Sequence, residues 1–159
     1  MEFRKMVRIR QQLEEKECIE ILKHEKRGVL AVLGDGDYPY AVPLNHYYCE
    51  ADGKLYFHGG KAGHKIDAIR RHDKVSFCVY DEGYRNEGEW ALNFRSVIVF
   101  GRIEFVEDEE TMLRLARELS YKFTKDEAYI DDEIRRAGFR TLMFALVPEH
   151  MTGKRIKEA

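Results

Sequence analysis

Two periods of apolar spacing run through this chain. Cys18, Ile21 and Leu22 fall on one side of a segment whose other positions include Glu14, Glu17 and Lys23, which predicts an amphipathic helix. Strand patterns then dominate, over 28–33, 38–48, 54–58, 74–81, 95–106 and 140–147. The first two flank Gly34-Asp35-Gly36-Asp37, a composition that favours a hairpin, and the last stops before Pro148. In the longest run, 97–100 is apolar on both faces, which predicts core on one side and a second covered surface on the other. Gly101 within it marks a bulge or the close approach of another group. Helical spacing returns in a segment beginning near Gly63, with Ile66 and Ile69 inward, and in one from about Asp108 carrying Met112, Leu115, Ala116, Leu119 and Phe123. A more polar helix spans 126–137 and ends at Gly138. Six strands with interspersed helices predict a mainly β (α+β) fold, a six-stranded antiparallel barrel with flanking helices.

Composition narrows the organisation and the partners. A chain of 159 residues, 44% hydrophobic, holds one barrel-sized core, so a single domain over 1–159 is expected. The net charge of −2, with Arg4, Lys5, Arg8 and Arg10 as the only basic cluster, argues against nucleic acid. The N-terminal arm lacks an apolar signal core and no window is long enough to span a membrane, so a soluble, cytoplasmic protein without a membrane partner is expected. Cys18, Cys49 and Cys78 are odd in number and lack C-x-x-C spacing, so reduced thiols are expected. Cys18 and Cys78 fall in apolar patterns and read as core; Cys49, near a turn, reads as exposed.

Candidate chemistry concentrates around 55–65. Gly59, Gly60 and Gly63 permit a bend in which consecutive N–H groups converge on an oxyanion, and a helix starting near Lys65 adds its dipole and a full counter-charge. A surface turn with solvated lysines fits the same residues. The spacing is neither a P-loop nor the dinucleotide fingerprint. Pro43, inside a strand, belongs at an edge or bulge, where a flat ligand can lie on the backbone. His46, His58 and His64 are candidates for a metal or haem iron, but their spacing is not diagnostic and no metal site is assigned. No triad or paired-carboxylate motif occurs, so no catalytic residue is assigned.

These segments, in this order, resemble the pyridoxamine 5'-phosphate oxidase-like superfamily of flavin-binding split barrels, and more closely its nitroimidazole-resistance-related branch. The matching stretches are Pro-Tyr-Ala-Val-Pro-Leu-Asn (39–45), Leu-Tyr-Phe-His-Gly (55–59), Gly-His-Lys (63–65), Val-Ser-Phe-Cys-Val (75–79), Arg-Ser-Val-Ile-Val-Phe-Gly-Arg (95–102) and Met-Thr-Gly-Lys (151–154). The resemblance implies a split barrel, FMN as cofactor, with haem as the alternative found in some relatives, and a homodimer with flavin at the subunit interface. It places Val42, Pro43, Leu44 and Asn45 along the flavin ring and ribityl chain, and His58 and Gly59 near the ribityl or phosphate end. His64 and Lys65 fall where the oxidases have an Arg-Lys pair on phosphate. Ser96 lies where that family makes a contact from the partner subunit, and Lys154 is placed to close the site. Tyr38, Tyr40, Tyr84 and Trp90 would suit an interface.

The departures from the pattern carry meaning. His64 stands in place of the arginine and Asn45 in place of the lysine ending the strand motif, so phosphate affinity is left to Lys65, with Lys61 or Arg27 as further cations. The substrate-binding arginine and histidine motif has no convincing counterpart near the C-terminus, which argues against vitamin-phosphate oxidation. What the resemblance implies is an FMN-dependent oxidoreductase or flavin reductase, taking hydride from NAD(P)H to a small electrophilic, nitro-aromatic acceptor. The alternatives are a non-catalytic flavin- or haem-binding and storage protein, or a barrel kept as an interaction module.

Overall fold

Five residues, 34–38, reverse the chain between its first two strands. The computed structural model describes residues 1–158 and, at Phe139, the backbone alone. Gly36 and Asp37 take φ of 64° and 62°, and the Gly34 N–H donates to the Tyr38 carbonyl at 2.8 Å. This turn joins β1 (Arg27–Leu33) to β2 (Pro39–Asn45) in antiparallel register from Arg27↔Asn45 to Leu33↔Pro39. The helix α1 (Glu15–His24) precedes them. Beyond them come β3 (Tyr47–Cys49), β4 (Lys54–Gly60), α2 (His64–Arg71), β5 (Lys74–Tyr80), β6 (Asn93–Val106), α3 (Glu109–Ser120), α4 (Glu127–Ala137) and β7 (Thr141–Lys157).

The strands form one antiparallel sheet in the order β2-β1-β5-β6-β7-β4-β3. Since β2 passes into β3 through His46 alone, yet the two lie at opposite ends of that order, the sheet must curl until its edges meet at His46. The result is a mainly β, α+β split barrel with four flanking helices. Asp108 and Asp126 cap α3 and α4 through the N–H groups of Thr111 and Tyr129. No helix among the described residues is long and apolar enough to cross a membrane.

Strand alternation sorts the side chains. Leu30, Phe77, Val97, Val99, Phe57 and Phe144 point inward, where Phe57 meets Phe77 edge-on at 5.0 Å and stacks on Phe144 at 5.4 Å. Cys18, Ile21 and Leu22 of α1 and Ile66 and Ile69 of α2 seal this interior. A smaller cluster of Cys49, Tyr56, Leu115, Met143 and Ala145 lies beneath α3. On the opposite face Pro43, Val29, Cys78, Ile98 and Thr152 form a row across five strands, and Ile98 is 37% exposed. On the outer side of the doubly apolar run of β6, Ile98 is left exposed in a single chain, while Phe3 and His150 pack on Phe100.

Three sequence expectations are corrected. The sheet has seven strands rather than six, because the run over 38–48 breaks at His46. The ring of that residue is buried with Nε2 2.7 Å from the Leu22 carbonyl, and its backbone N–H reaches the Lys26 carbonyl at 3.2 Å. The last strand does not stop before Pro148 but continues to Lys157. The register shifts between Phe100 and Gly101, so Pro148 sits at a bulge where its missing N–H costs nothing. Gly101 is required there, since a Cβ would come 2.1 Å from the Val147 carbonyl oxygen. The cysteines also change places: Cys49 is 6% exposed in the small cluster, whereas Cys78 is half-buried on the outer face.

Candidate functional site

At the end of β4, Tyr56 and Phe57 are buried and the next residue, His58, faces outward before the chain leaves through Gly59 and Gly60. Gly63 (φ 127°) then turns it into α2, and Lys65 in the first turn of that helix folds back over β4. A Cβ on Gly59 would lie 3.2 Å from Lys65 Nζ, so the missing side chain is what lets the amine rest on the strand backbone. Lys65 is half-buried, its pKa is lowered by desolvation, and no carboxylate pairs with it among the described residues. A partly desolvated cation without a counter-ion favours an arriving anion.

Beside it lies a cavity of about 370 Å3 lined by Arg27, Pro43, Leu44, Asn45 and His58. Arg27 and Asn45 face each other in the β1–β2 register, and Arg27 too lacks an ion pair among the described residues. His58 keeps much of its surface in solvent, yet the protein crowded around it desolvates the charged ring, and the positive Lys65 adds to that, so its pKa is lowered. The site therefore holds a neutral imidazole near two cations. Two further cavities adjoin. One of about 1010 Å3 shares Arg27 and Pro43 and includes Tyr80, Arg155 and the Arg95–Asp81 pair at 2.9 Å. The other, about 400 Å3, shares Asn45 and His58 and lies between α3 and α4.

The structure brings together some of the sequence candidates and separates others. Pro43, Asn45 and His58 line one cavity, and Lys65, laid over Gly59, is near enough for its charge to act on His58. Alternation turns Val42 toward the barrel interior, and Leu44 packs on the core while reaching the cavity edge, so 42–45 presents only alternate side chains to an outer ligand. His64 does not turn toward His58. Its ring stacks on Tyr40 at 4.1 Å and Nε2 accepts the Asp35 N–H at 3.1 Å, latching α2 to the first hairpin, where Gly34 leaves room for it. Ser96 and Lys154 pair across β6 and β7 and line none of the cavity around His58 within one chain. Lys61 is exposed on a separate groove with Arg70.

His46, His58 and His64 stay apart, and no group of three His, Cys, Asp or Glu side chains among the described residues is placed to hold a metal. Burial, then the charge of Lys122, pushes the His46 pKa down to about 3, so that ring is neutral at any ordinary pH. Lys122 was not singled out by pattern. Its Nζ donates to the carbonyls of Glu25 and His46 at 2.5 and 2.7 Å, pinning the seam of the barrel, and burial lowers its pKa to about 8. A lysine just past a helix end has no spacing that marks it, so only the fold shows its role.

A family model described as pyridoxamine 5'-phosphate oxidase matches residues 14–155. Among solved structures, a proposed 5-nitroimidazole antibiotic resistance protein from Bacteroides thetaiotaomicron matches with a TM-score of 0.76 and 23% identity, covering 92% of this chain and 87% of that one. An FAD-binding protein from Mesorhizobium loti matches at 0.67 and 25%, covering 92% and 97%. The FAD and haem binding protein from Mycobacterium smegmatis matches at 0.71 and 19%, covering 91% and 72%. No curated protein matches the sequence.

Proposed function

The chain belongs to the pyridoxamine 5'-phosphate oxidase family, and on that premise we propose that it is a flavin-dependent oxidoreductase that grips FMN by its phosphate and works as a homodimer. The observation that carries this reading is Lys65, a half-buried amine laid across Gly59 with no carboxylate partner among the described residues. Arg27 and His58 nearby make the cavity fit a phosphate, and the missing side chain at Gly59 leaves the place that the Lys65 amine takes. The FAD-binding relatives support a flavin as the ligand.

Bound flavin would supply hydride transfer from a nicotinamide donor to a small electrophilic acceptor, nitro-aromatic compounds being the favoured class. The chain's own part is to bind and orient. Lys65 and Arg27 neutralise the phosphate, and neutral His58 offers it one N–H, taking up a proton when a dianion arrives. Pro43, on the edge strand β2, presents an apolar surface with no N–H to satisfy. A second copy covers the outer row of Pro43, Val29, Cys78 and Ile98 and brings its own Ser96 and Lys154 toward the cavity.

A second reading, a non-catalytic flavin or haem carrier, is favoured by one observation: the His58 ring faces the cavity with no hydrogen-bond partner among the described residues and is free to ligate iron. The absorption spectrum of freshly purified protein, with the mass of any released chromophore, decides between them. Flavin bands followed by nicotinamide-dependent turnover uphold the first reading. Stoichiometric flavin without turnover, or a Soret band, upholds the second; failure to bind either FMN or FAD in titration refutes both flavin readings.

A further inference from the structure

The groove that holds Lys61 and Arg70 shares no lining residue with the cavity around His58. It encloses about 690 Å3, inside the range of roughly 300–1,000 Å3 typical of small-molecule sites. The end of β6, the first turns of α3, the end of α4 and the start of β7 contribute its apolar lining. Phe105, Val106, Met112, Leu113, Ile134 and Leu142 are each half-buried there, so none of the six is fully covered within the chain.

The charges of the groove are distributed unusually. Arg70, in the last turn of α2, has its guanidinium carbon 4.5 Å from the centroid of the Phe105 ring. That contact holds the group in place without using its N–H donors, and no carboxylate or carbonyl takes them among the described residues. The neighbouring arginines are spent: Arg71 on Asp35 at 2.7 Å, and Arg135 of the same groove on Asp132. Lys61 has no ion pair among the described residues, and neither have Glu107 and Glu109, which also line the groove.

We propose that this groove is a second ligand site, for a small amphipathic monocarboxylate, with Arg70 as the clamp on the acid and the six apolar side chains around its body. A planar guanidinium with free donors matches the two oxygens of a carboxylate, and Lys61 adds charge. Glu107 and Glu109 set the limit of one acid group: two unpaired cations already share the groove with two unpaired carboxylates, so a second negative charge on the ligand meets repulsion. A neutral molecule of the same shape gains only the apolar walls.

The test is a titration of the full chain with phenylacetate, followed by NMR of the backbone N–H groups, with phenylacetamide as the uncharged counterpart and phenylmalonate as the dianion. Phenylacetate should shift the resonances of Arg70, Phe105 and Leu113 and bind about tenfold more tightly than phenylacetamide, the scale of one charge-assisted hydrogen bond. Phenylmalonate should bind less tightly than phenylacetate. Arg70→Gln, at an exposed position, should erase the preference for the acid, and Arg70→Lys, which keeps the charge and loses the fork, should retain part of it. Equal binding of acid and carboxamide, shifts confined to other parts of the chain, tighter binding of the dianion, or a preference that survives Arg70→Gln overturns the proposal. None of these readouts needs a bound flavin, so failure of the flavin reading leaves the test intact.

Discussion

Replacing Lys65 by alanine separates the phosphate reading from its alternatives. The amine is half-buried and unpaired, so in the free protein its desolvation is already in place and an arriving phosphate meets a preformed charge. A charge-assisted hydrogen bond of this kind is worth about 1.5–3 kcal/mol, which is about 10- to 150-fold in Kd. Lys65→Ala should therefore weaken FMN about 30-fold, in the middle of that range, and leave riboflavin, which has no phosphate, within about twofold. Titration of apoprotein with both ligands reads the difference. A second readout needs no ligand. Desolvation is the larger cause of the lowered His58 pKa and Lys65 the smaller, so the variant should raise that pKa while leaving it below the ordinary histidine value, as followed by NMR. Equal losses for the two flavins would refute the phosphate reading, and an unmoved His58 titration would show that Lys65 does not share its site.

Other consequences of the structure are open to direct measurement. His46 is held neutral with a folded pKa of about 3 against about 6.5 unfolded, so its contribution to stability is complete above pH 6.5 and is lost progressively toward pH 3; at pH 5 the loss is about 2 kcal/mol. Denaturant unfolding at pH 7 and 5 should show that loss in the wild type and not in His46→Gln; equal pH dependence in both would refute it. Gly101→Ala puts a methyl 2.1 Å from the Val147 carbonyl and should cost about 3 kcal/mol, a fall of roughly 10 °C in Tm; an unchanged Tm would mean the bulge relaxes freely. Ile98→Asp charges the bare outer face, and light scattering should find monomers that remain folded; a dimer of unchanged mass would place any interface elsewhere.

Much of this fold was legible because its signals are local. The apolar run of Val29 to Leu33, the glycine turn before Tyr38 and the helix start at Asp108 each act within a few residues, and each element formed where its pattern predicted. The break at His46 was not legible, because what turns that ring inward is the Leu22 carbonyl on a distant helix. Pro148 misled for the same reason: a proline ends a strand unless a bulge admits it, and the bulge in β7, with Glu149 as the extra residue, is set by the pairing of Pro148 with Gly101, far back in the chain. At the candidate site, Lys65 and Gly59 were readable as bend and cation. His64 was not, since its ring has two possible sides and the choice was made by Tyr40 and Asp35. The α3–α4 groove escaped notice because a helical stripe containing Met112 and Ala116 reads as packing whether or not it is filled.

The place of β7 in the sheet bears on how the protein is made. It follows the other six strands in chain order among the described residues, yet it stands between β6 and β4. Until it appears, the nascent chain holds two fragments, β2-β1-β5-β6 and β4-β3, each with an open edge. The fourteen-residue β6 waits with a full row of unpaired N–H and C=O groups along an apolar strand, a template for pairing between neighbouring chains. Barrel closure thus waits for β7, so truncation that removes this strand should yield aggregation rather than a smaller folded domain.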